Sequence, residues 1–102
     1  MGGVIPYQAE IGEGTTLGYQ SLGIVLNKNT KIGKNCTICQ NVTLGSGGPI
    51  IGDNVLIGAG AVILGNVVIG NNVDIGANAV VLCNIPDNSV AVGAPAKVVK
   101  MK

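Results

Sequence analysis

The chain has 102 residues, with six lysines, five acidic residues, no histidine and a formal net charge of +1. Phenylalanine and tryptophan are absent and tyrosine occurs twice, so basic stripes and aromatic stacking platforms are both missing and nucleic acid is excluded as a partner. No apolar run reaches the length of a membrane span and the opening residues carry no signal-peptide pattern, which predicts a cytoplasmic protein that makes no membrane contact.

Residues 1–4 read as a short lead-in. From Ile5 an aliphatic residue returns every sixth position, through Ile11 and Leu17, then Leu26, Ile32, Ile38 and Leu44, then Ile51, Ile57, Ile63, Ile69, Ile75 and Val81. Six residues are too few for a helix and loop, and the spacing does not match a 3.6-residue stripe. It does fit a short strand followed by a tight corner, the repeat of a parallel β-solenoid. The fourth residue of the thirteen hexads is Gln8, Gly14, Gln20, Asn29, Asn35, Asn41, Gly47, Asn54, Gly60, Asn66, Asn72, Asn78 and Asn84. Eleven of them are Asn or Gly, the residues that tolerate positive φ, so each hexad is expected to turn there through a left-handed backbone conformation. The fifth residue is small or β-branched, as in Thr30, Cys36, Val42, Val55, Ala61, Val67, Val73 and Ala79, which suits a crowded interior beside a corner.

Three strands and three corners close a triangular coil of eighteen residues, and coils stack at about 4.8 Å. The expected fold is all-β, a β-helix of about five coils. It forms one domain over 1–102, with hexapeptide coils over 5–85 and a closing coil and C-terminal tail over 86–102. So small a prism leaves exposed aliphatic faces, which predicts side-by-side assembly as a homotrimer.

Two interruptions break the beat. Nine residues separate Leu17 from Leu26, and one extra residue stands in LGSGGPI between Leu44 and Ile51. They lie one coil plus one face apart, which places them near one another in space. Loops on a rigid scaffold are where function concentrates. Cys36 and Cys39 form a CxxC, but no second pair or His completes a zinc site, and Cys36 falls in the inward small-residue slot. No metal site is therefore expected. The Gly-rich LGSGGP lacks the GK[ST] of a nucleotide loop.

With these stretches in hand, the chain resembles the hexapeptide-repeat acyltransferases, most closely the catalytic half of the serine acetyltransferase-like branch. GIV (Gly23 to Val25), ICQNVTLGSGG (Ile38 to Gly48), IGDNVLIGAGAVILGNVVIG (Ile51 to Gly70), IGANAVV (Ile75 to Val81) and AVGAPAKVV (Ala91 to Val99) carry the resemblance. It implies the left hand for the parallel β-helix, and a trimer that holds acetyl-CoA as co-substrate in the groove between prisms. By the same resemblance Gly45 lies beside the pantetheine arm, main-chain groups of Ala59 and Ala77 bond the cofactor, and Lys97 reaches its phosphates. A small residue after Ile-Gly lets a thin ligand lie against the backbone, and a Lys supplies a point charge for phosphate.

The chain also departs from the family. Acetyl transfer to a hydroxyl normally uses a His base. The Asp-His pair of serine acetyltransferases falls here at Gly18 and Tyr19, and their Arg-His-Pro-Lys stretch at Gly47-Gly48-Pro49-Ile50. Where sugar-modifying relatives often carry a His after the GIV-type strand, this chain has Asn27. The catalytic candidates left by position are Asn27, which can orient a hydroxyl or donate to an oxyanion, and Tyr19, whose hydroxyl would need a much lowered pKa to act as base. The expected function is O-acetyl transfer from acetyl-CoA to a hydroxyl of a small molecule, with a sugar acceptor favoured over serine by these replacements. The alternative is a CoA-binding or purely structural solenoid without turnover.

Overall fold

The structure, a computed structural model, describes residues 9–18, 23–45 and 47–102. Its elements are β1 (Glu10–Ile11), β2 (Thr16–Leu17), β3 (Val25–Leu26), β4 (Lys31–Ile32), β5 (Thr37–Ile38), β6 (Thr43–Gly45), β7 (Ile50–Ile51), β8 (Leu56–Ile57), β9 (Val62–Leu64), β10 (Val68–Ile69), β11 (Asp74–Ile75), β12 (Val80–Val81), β13 (Ser89–Val92) and β14 (Lys97–Met101).

Every third strand shares a sheet. A first face is β1-β4-β7-β10, a second is β2-β5-β8-β11-β13-β14, and a third is β3-β6-β9-β12. Pairing within each face is parallel from coil to coil, as in Lys31↔Ile50, Thr37↔Leu56 and Thr43↔Val62. The six-residue period thus becomes a three-sided prism. A typical strand has two residues, one outward and one inward, as in Lys31–Ile32 or Leu56–Ile57. The inward aliphatics form three columns, one per face. Ile32, Ile51 and Ile69 stand in the first, Ile38, Ile57 and Ile75 in the second, Leu26, Leu44, Ile63 and Val81 in the third, and all are buried. The fifth-position residues Thr30, Cys36, Val42, Val55, Ala61, Val67, Val73 and Ala79 are buried between these columns, so branched and small side chains alternate around each coil and fill the interior.

β1 to β12 make four complete coils. A further one is begun by Ile85, which bridges to Ile69, and by β13, which pairs with β11. The described residues thus hold four coils and part of a fifth, against the about five that the period suggests. The segment after Val92 turns back, and β14 pairs antiparallel with β13 as the outermost strand of the second face. Val80 N–H donates to Gly93 O and Ala96 N–H to Val80 O, so the turn of this hairpin covers the third face.

The corners follow the fourth-position rule with exceptions. Asn35, Asn41, Asn54, Asn72 and Asn78 have φ between 57° and 62°, and Gly14, Gly47 and Gly60 are also positive. At Asn66 the positive φ moves to the preceding Gly65 (86°), and Asn84 does not adopt it either; its Oδ1 instead accepts the Val68 N–H (2.8 Å). Asn29 stands in a different turn, in which its N–H donates to Asn27 Oδ1 and Thr30 N–H to Asn27 O. The hexads at Ile5 and the turn position Gln20 lie outside the described residues.

Candidate functional site

The three corners are built differently, and the difference lies in the third residue of each hexad. At the corner between the first and second faces this column reads Glu13, Lys34, Asp53, Asn71 and Asp87. Lys34 N–H donates to Asp53 Oδ1 (2.9 Å), Asp53 N–H to Asn71 Oδ1 (2.8 Å) and Asn71 N–H to Asp87 Oδ1 (2.8 Å). Each short polar side chain thus closes an exposed amide of the neighbouring coil, the same device that caps helix N-termini.

At the corner between the second and third faces the equivalent residues are Gln40, Ala59 and Ala77. The carbonyls are used, since Gly60 N–H donates to Gln40 O and Asn78 N–H to Ala59 O. The Ala59 and Ala77 N–H groups donate to nothing among the described residues, because a methyl group offers no acceptor. Adjacent coils place these two amides about 4.8 Å apart in a row. Gly58 keeps that row accessible: a Cβ there would lie 2.6 Å from Ala77 N, too close for any side chain. This corner is a strip of unclaimed donors with almost no side-chain cover, suited to the carbonyl oxygens of a thin extended ligand.

The corner between the third and first faces carries the other candidates. Asn27 follows β3 and Gly45 closes β6. The two are neighbours across adjacent coils, with Asn27 N–H donating to Leu44 O (2.9 Å). Asn27 Oδ1 accepts the Asn29 N–H, and its side-chain NH2 group, a donor, has no partner among the described residues. Gly45 pairs with Leu64 in β9, and a Cβ added at Gly45 would rest 3.6 Å from Leu64 Cδ2, ordinary contact rather than collision. Lys97 opens β14 opposite Val92, exposed, beyond Ala77 along the second face. The fold therefore sets Ala59 and Ala77 in one row with Lys97 beyond it, and sets Asn27 beside Gly45 at the other end of the third face. Tyr19 lies outside the described residues.

The two interruptions also resolve into separate corners. A Cβ on Gly23 would collide with the Asn41 side chain, and one on Gly48 would meet Asn29 Cβ at 2.5 Å. Gly23, after the first interruption, therefore turns beside Asn41, and Gly48 of the second beside Asn29. These two glycines border opposite edges of the third face. Cys36 is buried as its slot predicts, with its thiol directed to Gly52 O (3.1 Å), and Cys39 is half-buried. The polar ladder Lys34–Asp53–Asn71–Asp87 escaped the reading of the sequence. Its members recur at eighteen or so residues, one per coil, and aligning by coil instead of by hexad would have found it.

Comparison with known proteins agrees with this geometry. Residues 48–83 match the family described as bacterial transferase hexapeptide (six repeats), and residues 8–46 match the hexapeptide repeat of succinyl-transferase. The chain belongs to the hexapeptide-repeat acyltransferase family. It is 48% identical over 86 residues to a serine acetyltransferase of Staphylococcus xylosus, covering 78% of this chain, and 50% identical over 98 residues to serine acetyltransferase 5 of Arabidopsis thaliana, covering 89%. It spans 40% and 31% of those relatives' own lengths. Among solved structures, the Brucella abortus serine acetyltransferase in complex with coenzyme A superposes with a TM-score of 0.88 at 36% identity, covering 93% of this chain and 40% of that one. The Neisseria gonorrhoeae enzyme in complex with serine gives 0.85 at 40% identity, covering 91% and 40%. A mirror-image coil would not superpose in this way, so the β-helix is left-handed, as the resemblance implies.

Proposed function

We propose that this chain is the β-helical part of an acetyl-CoA-dependent O-acetyltransferase that acts on a small hydroxyl acceptor. The observation that carries the reading is the corner of Ala59 and Ala77, where two successive coils leave their amides unclaimed while the first corner closes its own with Asp and Asn side chains. Acetyl-CoA suits that row. Its pantetheine arm is thin, extended and rich in amide carbonyls, Gly45 across the third face is proposed to leave room for its far end, and the exposed Lys97 is proposed to meet its phosphates. The complex of the Brucella relative with coenzyme A supports the same ligand.

The acceptor is better supported as a serine-like small molecule than as a sugar, because the relatives are serine acetyltransferases and one of their structures holds serine. Asn27, whose amide NH2 has no partner among the described residues, is the group proposed to orient the acceptor or to donate to the oxyanion of the tetrahedral intermediate. The groove would be completed by a neighbouring prism in a homotrimer, for which exposed aliphatics such as Ile50, Leu56, Val68 and Leu82 supply contact area. No helix among the described residues is long and apolar enough to cross a membrane.

The test is calorimetric titration with acetyl-CoA, alongside thiol release in the presence of L-serine and of hexose acceptors. Saturable binding with serine-dependent release is expected. Absence of saturable binding at millimolar acetyl-CoA rejects the reading. Binding without release for any acceptor leaves the structural solenoid in its place.

A further inference from the structure

The strip of unclaimed amides at the corner between the second and third faces extends one rung beyond Ala59. In the polar ladder of the first corner each amide is closed by a side chain one coil later, Lys34 by Asp53 and Asp53 by Asn71. At the open corner Ala59 stands in that position for Gln40, and the Gln40 N–H likewise donates to nothing among the described residues. The residue before Gln40 is Cys39. It shares a column with Gly58 and Gly76, since Ile38 pairs with Ile57 and Ile57 with Ile75. A Cβ on Gly58 would lie 2.6 Å from Ala77 N, so side chains in this column lean along the prism onto the next rung. For Cys39 that rung is Gly58 and Ala59. A half-buried thiol therefore stands at the N-terminal end of the strip. The other two cysteines are elsewhere: Cys36 is in the core, and Cys83 is exposed after β12, at the opposite edge of the third face. With phosphates at Lys97, the reach of a bound arm is set by the rungs. Lys97 pairs with Val92, Val92 neighbours Gly76, and Gly58 and Cys39 follow. These steps, at about 4.8 Å each, span roughly 19 Å. The pantetheine chain from phosphate to sulfur is as long as between four and five extended residues, roughly 15 Å, and the Lys97 side chain covers the remainder. The thioester thus ends at the rung of Cys39.

From this placement we infer that Cys39 is the first acceptor of the acetyl group, so that transfer passes through an acetyl thioester on the protein. A thiol is the side-chain nucleophile least dependent on a neighbouring base. Cys39 Sγ bonds to the carbonyl carbon of acetyl-CoA, and the carbonyl oxygen, now an oxyanion, is met by the unclaimed Gln40 N–H. The carbon–sulfur bond to coenzyme A breaks. Coenzyme A leaves as a thiolate, which takes from water the proton that the Cys39 thiol has released. One thioester replaces another, so no oxidant or reductant enters. The acceptor hydroxyl then attacks the carbonyl carbon of acetyl-Cys39. The bond to Sγ breaks, the hydroxyl proton passes through water to the departing Cys39 thiolate, and the products are the O-acetyl ester and the free thiol. The inference rests on the acetyl-CoA reading above.

It is tested on the full chain with acetyl-CoA and no acceptor, quenched in acid, with acetylated cysteines mapped by mass spectrometry and by release with hydroxylamine. A parallel sample treated with iodoacetamide reports bare accessibility, and there Cys83 should react first because it is exposed. With acetyl-CoA the order should invert, Cys39 carrying at least about tenfold more acetyl than Cys83. Isotope-labelled coenzyme A should exchange into acetyl-CoA without acceptor, the signature of a double displacement. Addition of L-serine or a hexose should then discharge acetyl-Cys39. Cys39→Ala, its fold checked by a thermal melt, should abolish labelling and exchange and lower turnover at least about tenfold. Cys83→Ser should leave all three unchanged. The inference is overturned by a Cys39 to Cys83 ratio below that inversion, by acetyl-Cys39 that no acceptor discharges, or by full turnover in Cys39→Ala. Saturable calorimetric binding of acetyl-CoA without acetyl on Cys39 overturns it and leaves the acetyl-CoA reading standing, whereas absence of binding removes both.

Discussion

Asp53 Oδ1 accepts the main-chain N–H of Lys34 at 2.9 Å across the gap between two coils, and the Asp53 N–H is in turn taken by Asn71. Replacing Asp53 by Ala leaves the Lys34 amide to solvent and breaks a chain of like bonds. An exposed cap of this kind contributes about 1 kcal/mol, so Asp53→Ala should lower Tm by roughly 4–8 °C, whereas Asp53→Asn keeps an acceptor oxygen and should stay near wild type. Differential scanning calorimetry of the two variants decides it.

The same bond can be built where it is missing. Asn71 follows Asp53 by one coil just as Ala77 follows Ala59, and both are followed by an Asn with φ of 58–59°. In Ala77→Asn the new side chain should accept the Ala59 N–H and withdraw it from ligands. Thermal stability is expected to hold or rise, while the acetyl-CoA Kd rises about tenfold, or ~1.4 kcal/mol. Calorimetric titration and a melt on the same sample separate loss of the site from loss of the fold.

Positive φ at Asn54 (58°) is a backbone requirement, not a side-chain contact. Asn54→Gly should be close to neutral. Asn54→Val places a β-branched residue in the left-handed region and should cost about 1–2 kcal/mol, read from the midpoint of urea unfolding at unchanged slope.

Ile63 is fully buried in the third column of the core, between Leu44 and Val81, while Ile50 on the first face is 45% exposed. Ile63→Ala should cost about 2–5 kcal/mol through lost burial and the cavity it leaves. Ile50→Thr in the monomer should stay within about 0.5 kcal/mol. If the first face is buried in a trimer, the Ile50 variant instead makes stability depend on protein concentration, which melts at two concentrations detect.

The prism could be read from the sequence because its two determinants are local and repeat. A two-residue strand puts one side chain inward every six positions, and the Asn or Gly at the corner is set by backbone geometry alone. Asn29, Asn66 and Asn84 broke the rule; at the first two, Asn27 and Gly65 offered the turn another solution. The hairpin of β13 and β14 was hidden because KVVKM carries no period and its partner is fixed by what is left unpaired on the second face. The site was legible only in part. Ala59 and Ala77 look like any small turn residue, and what distinguishes them is an acceptor missing one coil away, which appears only when positions eighteen residues apart are aligned. Asn27 is polar in the sequence, yet which of its atoms is free depends on the Asn29 amide.

A parallel stack of identical rungs invites growth, since each edge offers the next chain a ready template. β14 refuses that offer on the second face. It lies in the opposite direction to the rungs beneath it and carries the exposed Lys97 and Lys100, so a second molecule approaching that edge would meet the wrong strand polarity and like charge. The antiparallel β14 thus withholds from that face the parallel edge on which another coil would stack, and its removal is expected to raise the particle size read by light scattering.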